Sequence, residues 1–489
     1  MPRFILIDPP LVSTVGHHHE FAHNVLTAAA GLGWEGVLAG HQQCRVAACG
    51  GWPVRPLYRD GLWTHQAGSR GLRLLSYATS ALQRGGKWTR PCQTLTRQGR
   101  DAWRARRFAA DTQRLLAELE VRPDDLVFLP NATLTEVWGI TRLLRESRLA
   151  QQASWHMEFH FNVFPAGVPH HPGAWPAARE MQQALRVLRV AADATPLFLY
   201  TDTEELTEQY EALRAGPFFT LPIPVDPVFH RASPDRLLAP APSQAALVFS
   251  YVGDARIEKG YPQLPEMIQR VWREQVATNR VRFVIQSNCR PARSERAAFE
   301  ARDELAALDS PAVQLLTEPL STADYRQLVL NSDALLLPYD PGEYEARSSG
   351  ILSEALGAGI PVAVPDGSWM ARQLRDAVLR HRLELQSLGV WPADGDRQPS
   401  LAIAGPVDSV PRSSIGVVYP AGPEGLAQAV EELATHFRHY RNSAANFAAA
   451  WVRRHHPRIL VEQLCRHADQ SLNRIKVQTP PVQPVRLRA

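Results

Sequence analysis

Two stretches of the sequence combine residue types that could hold a phosphorylated ligand. The first, Gly253-Asp254-Ala255-Arg256-Ile257-Glu258-Lys259-Gly260, directly follows an apolar run at 247–252. A glycine just past a buried strand lets the backbone come close to a ligand. Arg256 and Lys259 would then face the carboxyl edge of the sheet, where two cations suit a diphosphate. The second stretch runs from Tyr344 through Glu345, Ala346, Arg347, Ser348, Ser349 and Gly350 to Ile351-Leu352-Ser353-Glu354-Ala355, with Gly357, Gly359 and Pro361 behind it. Ser349 and Gly350 are small residues at a helix start, where exposed amides offer hydrogen bonds to phosphate oxygens. Glu354, about one turn further on, can accept hydrogen bonds from a ribose. Either stretch alone reads as a turn and a helix cap. In this order, on successive crossovers of one domain, they read as a nucleotide site.

Other residues invite competing readings. His19-Glu20-Phe21-Ala22-His23 matches H-E-x-x-H, which in zinc peptidases sets two histidines on one helix face with a glutamate as base; His17 and His18 precede it. Position 26 is Leu where the extended pattern has Gly, no third-ligand segment follows, and the motif falls on the first crossover of a Rossmann-like unit. No metal is expected, and a zinc peptidase is the outlying alternative. His156, Glu158 and His160 alternate along a strand, where a satisfied core histidine is the bland reading. Cys44, Cys49, Cys92, Cys289 and Cys465 are an odd set without C-x-x-C or zinc-ribbon spacing, as expected of reduced thiols in a cytosolic protein.

From Arg84 to Arg107 the chain carries Arg84, Lys87, Arg90, Arg97, Arg100, Arg104, Arg106 and Arg107 against the single acid Asp101, with Trp88 and Trp103 interleaved. This is either a solvated helix face or mobile loop, or a patch for anionic lipid headgroups, to which each basic residue contributes about 1 kcal/mol. Nucleic acid is not expected, because no recognition motif accompanies the charge.

The elements that must position these residues alternate in type. The apolar run at 4–7 reads as a strand buried on both faces, and Phe21, Val25, Ala28, Ala29 and Leu32 lie at helical spacing behind it. Further strands are expected at 37–39, 126–129, 155–161 and 197–200, with a capping box from Thr133 to Glu136. A Pro/Ala-rich linker at 233–243 precedes a second set of strands at 247–253, 282–285, 313–316, 334–337 and 361–364. The fold class is therefore α/β, with two doubly wound Rossmann-like domains facing each other across that linker. Their expected spans are 1–235 and 236–455, followed by a helix at 456–477 and a disordered tail at 478–489.

Composition agrees with this class. Of 489 residues, 45% are hydrophobic and 21% charged, which excludes a disordered or collagen-like chain. No run approaches the roughly 20 apolar residues of a membrane helix, and the first apolar run breaks too early for a signal peptide. The formal charge of +4 is too mild to demand a polyanionic partner.

The segment with Gly253, Arg256, Lys259 and Gly260, followed by Pro338, the glycine-containing helix start and Glu354, resembles the donor-binding domain of GT-B glycosyltransferases, especially the retaining family-four type. The likeness is strong from about 245 to 440 and weaker before. It implies transfer of a sugar from a nucleotide diphosphate sugar to an acceptor hydroxyl, with retention and without a cofactor. It also implies that the two domains face each other across a cleft, that the Gly16 loop lines this interdomain cleft and binds the donor, that His160 contacts the donor sugar, and that the helix near Arg458 to Ile475 returns to the first domain. The family's paired acids have seven residues between them, which would place the partner of Glu354 at position 346; here that residue is Ala346. Its role falls either to Glu345, shifted by one, or to Arg347 as a phosphate ligand. The expected partners are a nucleotide sugar, a glycan or lipid-linked acceptor and an anionic membrane surface at the cytoplasmic face, in envelope or exopolysaccharide synthesis. An NDP-sugar epimerase and a non-catalytic nucleotide-binding protein are the rivals.

Overall fold

The computed structural model describes residues 1–14, 16–61, 89–230, 246–289, 295–376 and 415–478, with side chains omitted at 89–98 and 471–478. Arg84, Lys87, Trp88, the whole of the expected linker and the tail from 479 lie outside the described residues. The chain divides into two compact units, one of Met1–Val163, His170–Leu221 and Pro457–Ala489, the other of Phe164–Pro169 and Pro222–His456.

In the first unit, strands β1 (Arg3–Ile7), β2 (Glu35–His41), β3 (Ala48–Cys49), β4 (Trp52–Tyr58), β5 (Leu126–Leu129), β6 (Ser154–Phe159), β7 (Leu197–Thr201) and β8 (Phe219–Thr220) form one sheet of order β3-β4-β2-β1-β5-β6-β7-β8. All pairs are parallel except β3 with β4; Ile5 lies beside Val37, and Leu6 beside Phe128. Helices between the strands cover both faces, which is why β1 and β5 read as continuous apolar runs. The alternation in β6 therefore does not separate core from solvent, and every one of its residues is buried. His156 is a satisfied core histidine, bonded to the Ser154 hydroxyl (3.0 Å) and the Tyr200 hydroxyl (2.9 Å). The expected capping box is present: Thr133 caps Leu134–Glu146 while Glu136 reaches back to the Thr133 amide.

The second unit holds β9 (Leu247–Tyr251), β10 (Val281–Gln286), β11 (Val313–Leu316), β12 (Ala334–Leu336), β13 (Val362–Pro365) and β14 (Gly416–Tyr419), all parallel, in the order β11-β10-β9-β12-β13-β14. The period of two sends alternate residues to opposite cores. Phe249, Tyr251, Phe283 and Leu336 pack with Met267 and Ile268 on one face. Leu335, Leu337, Val362 and Val364 pack with Leu352, Leu356 and Trp451 on the other.

One difference from the sequence reading concerns a boundary. The first domain does not extend to 235: Val225 and Phe229 lie in the core of the second unit, so the chain has already changed units after Leu221. The helix Pro457–Gln478 belongs to the first unit, where Leu460, Val461 and Leu464 pack with Val25, Leu26 and Leu38. Strands β3, β4, β8 and β14 have no counterpart in the sequence reading. β4 contains Pro53 and Pro56, which disguise it; its outer neighbour is only the two-residue β3, a position close to the sheet edge that tolerates proline.

Candidate active site

In the second unit the strand order reverses between β9 and β12, because β9 continues to β10 on one side while β12 continues to β13 on the other. Loops leaving the carboxyl ends of two such strands diverge and leave a crevice, the usual ligand position in open α/β sheets. Both sequence motifs leave the sheet at this point.

The chain leaves β9 through Gly253, whose φ of 103° favours glycine and whose amide donates to Gln286 Oε1 at 2.7 Å. A short 3-10 turn, Ile257–Lys259, ends on Gly260 at φ 69°. Gly260 is pressed against the loop leaving β12, since a Cβ there would lie 1.7 Å from the Pro338 carbonyl oxygen. The Asp340 amide donates to the Glu258 carbonyl at 2.9 Å and ties the same two loops together. A Cβ at Gly253 would meet Lys259 Nζ at 2.8 Å and Ile351 Cδ1 at 3.0 Å. The bare backbone of Gly253 thus separates the Lys259 ammonium from the start of the helix Gly350–Gly357, and the two motifs are one site.

Charge in this site is unevenly satisfied. Arg256 Nη1 pairs with Glu258 at 2.9 Å, while its buried Nε has no hydrogen-bond partner among the described residues. The Lys259 ammonium lies 5.5 Å from the Tyr339 ring centroid, and the Arg347 guanidinium 4.7 Å from that of Tyr344. Ser349 caps the helix by accepting from the Leu352 amide (3.2 Å), and Gly350 is exposed with open space where a Cβ would be. The helix therefore presents its amino end, with positive partial charge, to solvent beside the cations.

Glu354 is half-buried on that helix. Burial pushes its carboxyl up to about 7, against the hydrogen bond from Tyr325 and the nearby charges of Lys259 and Arg326. The acid expected at 346 is absent, and its two candidate substitutes diverge. Glu345 turns its carboxylate onto the Gly167 amide (3.0 Å), whereas Arg347 lies over the Tyr344 ring and 3.7 Å from the exposed Glu343. Tyr325, Tyr339 and Tyr344 were not assigned from sequence; a tyrosine in an apolar run carries no mark of what it will face.

His160 and Gly16 lie in the first unit. Gly16 precedes the helix His17–Gly31 at φ 95°, open to solvent. His160 follows β6, with Nδ1 2.8 Å from Asp202 Oδ2, just past β7, and Nε2 facing the Pro130 carbonyl, just past β5. Both partners accept, so both ring nitrogens carry protons and the ring is an imidazolium. Burial works against that charge; Asp202 and then Glu158 outweigh it and hold the ring up to about 9. Burial likewise pushes the Glu158 carboxyl up to about 8, with His160 opposing.

Both shifts have the same sign for stability. A histidine raised from 6.5 to about 9 stabilises fully below 6.5 and loses that contribution towards 9. A carboxyl raised from 4.5 to about 8 favours the folded state while protonated and loses that advantage as pH climbs. Denaturant unfolding of the first unit should therefore show falling stability between about pH 6.5 and 8.5, by up to about 1.4 kcal/mol per pH unit for each group. His160→Asn should flatten that slope, and a flat profile in the parent would refute the imidazolium.

Within the H-E-x-x-H segment His19 Nδ1 bonds to Glu20 (3.2 Å), while His18, outside the motif, pairs with Asp8 (3.0 Å). Among the described residues no group of three or more His, Cys, Asp or Glu side chains could hold a metal ion. No helix among them is long and apolar enough to cross a membrane.

No family model matches the sequence, and no curated protein matches it. Solved structures do match across nearly the whole chain. Sucrose-phosphate synthase from Thermosynechococcus elongatus is 13% identical, covering 98% of this chain and 100% of its own at a TM-score of 0.58. α,α-Trehalose 6-phosphate synthase from Burkholderia multivorans is 12% identical, covering 97% and 100% at 0.61. Anabaena HepE, solved in complex with UDP, is 12% identical, covering 96% and 100% at 0.53. Likeness at this identity carries the fold alone, and the chain has the GT-B fold of these glycosyltransferases, built from two Rossmann-like α/β units.

Proposed function

We propose that this protein transfers a glycosyl group from a nucleoside diphosphate sugar to an acceptor hydroxyl. The carrying observation is the meeting of the Gly253–Lys259 loop with the Ser349–Glu354 helix start at the switch point of the second unit. When the bond between the anomeric carbon and the diphosphate breaks, negative charge grows on the leaving phosphate. Arg256, Lys259, Arg347 and the first amides of the helix Gly350–Gly357 are placed to receive that charge, a set that needs no divalent ion. Glu354 takes the ribose. The acceptor oxygen forms the new bond to the anomeric carbon on the face the diphosphate leaves, so configuration is retained and the acceptor proton can depart with the phosphate. His160 contributes as a fixed positive charge, Glu345 by anchoring the 164–169 loop, and Gly16 by opening the helix that follows it. The fold neighbours support this reading: one is named UDP-forming, and HepE is solved with UDP-glucose.

Mass spectrometry of products from a panel of nucleoside diphosphate sugars with mixed acceptors tests the reaction. Glycosylated acceptor supports it. Donor isomerised without acceptor would replace it with an epimerase, and nucleotide binding without any turnover with a binding protein.

The acceptor belongs to cell-envelope or exopolysaccharide glycan synthesis and is lipid-linked at the cytoplasmic membrane face. In the helix Thr89–Leu119, exposed Arg100 and Arg106 flank Trp103, which is 39% exposed, at spacings of three residues that put them on one face. Arg107 is less available, because it pairs with Asp60 (3.2 Å) and covers the Trp103 ring. The parent should float with anionic vesicles at low salt and be released as salt rises, since the attraction decays over a Debye length of about 8 Å at physiological salt. Arg100→Gln with Arg106→Gln should abolish flotation. A parent that never floats, or a double variant that floats equally, would leave a soluble acceptor.

A further inference from the structure

We propose that Tyr325 is the positioning residue of the ribose site: its hydroxyl donates to Glu354 Oε2 and aims the other carboxylate oxygen at the hydroxyls of a bound ribose. The inference rests on the donor-site reading of Lys259 and Glu354. Tyr325 stands on the helix Thr322–Leu330, which enters β12, and Glu354 on the helix Gly350–Gly357, which follows it. The Tyr325 ring is half-buried against the core that holds Leu335, Leu337, Leu352 and Leu356, so it cannot swing away without leaving that core. Glu354 Oε1, by contrast, has no hydrogen-bond partner among the described residues. A glutamate side chain has three rotatable bonds, and an exposed one loses that freedom when it binds a diol. A phenol anchored in a core removes the freedom beforehand.

The anchor also acts on charge. Burial opposes ionisation of Glu354, whereas a hydrogen bond donated to the carboxylate favours the ionised form that accepts from two hydroxyls. The charged groups that face Glu354 are Lys259 from the loop after β9, Arg326 beside Tyr325 and Asp226, to which Arg326 is paired. None of these is removed by changing the phenol.

The test is calorimetry of UDP, GDP and ADP, and of the 2′,3′-dideoxy counterpart of the tightest binder. The parent should favour the ribonucleotide about tenfold or more, and Tyr325→Phe should shrink that preference to about twofold with its melting temperature nearly unchanged. The pH midpoint of ribonucleotide binding should rise in Tyr325→Phe by about half a unit or more, because the ionised carboxylate has lost its donor. Titration of the nucleotide's own phosphate is common to both proteins and cancels in the comparison. A 3-fluorotyrosine at position 325, equal in shape but a stronger donor, should move the midpoint down, and it decides the matter if Tyr325→Phe does not fold. A full ribose preference and an unmoved midpoint in these variants would overturn the role of Tyr325 while leaving the donor site standing. A parent that binds none of the three nucleotides would overturn the donor-site reading, and Tyr325 with it.

Discussion

Lys259→Ala is expected to lower turnover of the nucleoside diphosphate sugar at least about tenfold, since a charge-assisted contact to phosphate is worth about 1.5–3 kcal/mol and about 1.4 kcal/mol is a factor of ten. The Lys259 side chain leans over the bare backbone of Gly253 and the face of Tyr339. Lys259 is part of neither core cluster of the second unit, so its truncation opens no core cavity and thermal melting of the variant should match the parent. The loss should appear in affinity for the bare nucleoside diphosphate as well as in turnover, and it should shrink as salt rises. Arg256→Ala is a less clean probe, because Arg256 is partly neutralised by Glu258 at 2.9 Å and its loss frees that carboxylate. Unchanged turnover in Lys259→Ala would remove Lys259 from the donor site.

Gly260→Ala should have the largest effect on stability. The new Cβ would lie 1.7 Å from the Pro338 carbonyl oxygen, a backbone atom that cannot step aside, and the residue sits at φ 69°. Left-handed backbone in a non-glycine residue costs about 1–3 kcal/mol, and the forced displacement of one loop from the other adds overpacking of about 1–3 kcal/mol. The second unit should lose roughly 2–6 kcal/mol in denaturant unfolding. Gly253→Ala is the informative contrast. Its Cβ meets the ends of the Lys259 and Ile351 side chains, at 2.8 and 3.0 Å, which can move. It should cost less stability and more nucleotide affinity, because the ammonium is what yields. If Gly260→Ala unfolds at the parent's denaturant concentration, the two loops are not packed as described.

The strands near the centre of both sheets were legible because burial on both faces writes a continuous apolar run into the sequence, as in β1, β5 and β12. The capping box at Thr133 was legible because its two side chains bond locally. The edge elements β3, β4, β8 and β14 were not, since short or proline-bearing strands near a sheet edge carry little of that pattern. The expected alternation of β6 misled, because helices on both sides bury its polar positions too.

The residues of the candidate donor site, Gly253, Arg256, Lys259, Ser349, Gly350 and Glu354, were determined by sequence alone, as types at spacings that a strand end and a helix start dictate. Where β9 and β12 become neighbours is a non-local matter, and only the tertiary structure decided it. It decided also that Arg347 remains with the tyrosines while Glu345 turns to Gly167, although the two are near neighbours in the chain. Ionisation followed the same rule. Burial raises Glu354 and Glu158, and two acceptors on opposite sides of the ring hold His160 charged. A pKa is set by what surrounds a group in space, and those surroundings come from strands and helices far apart along the chain.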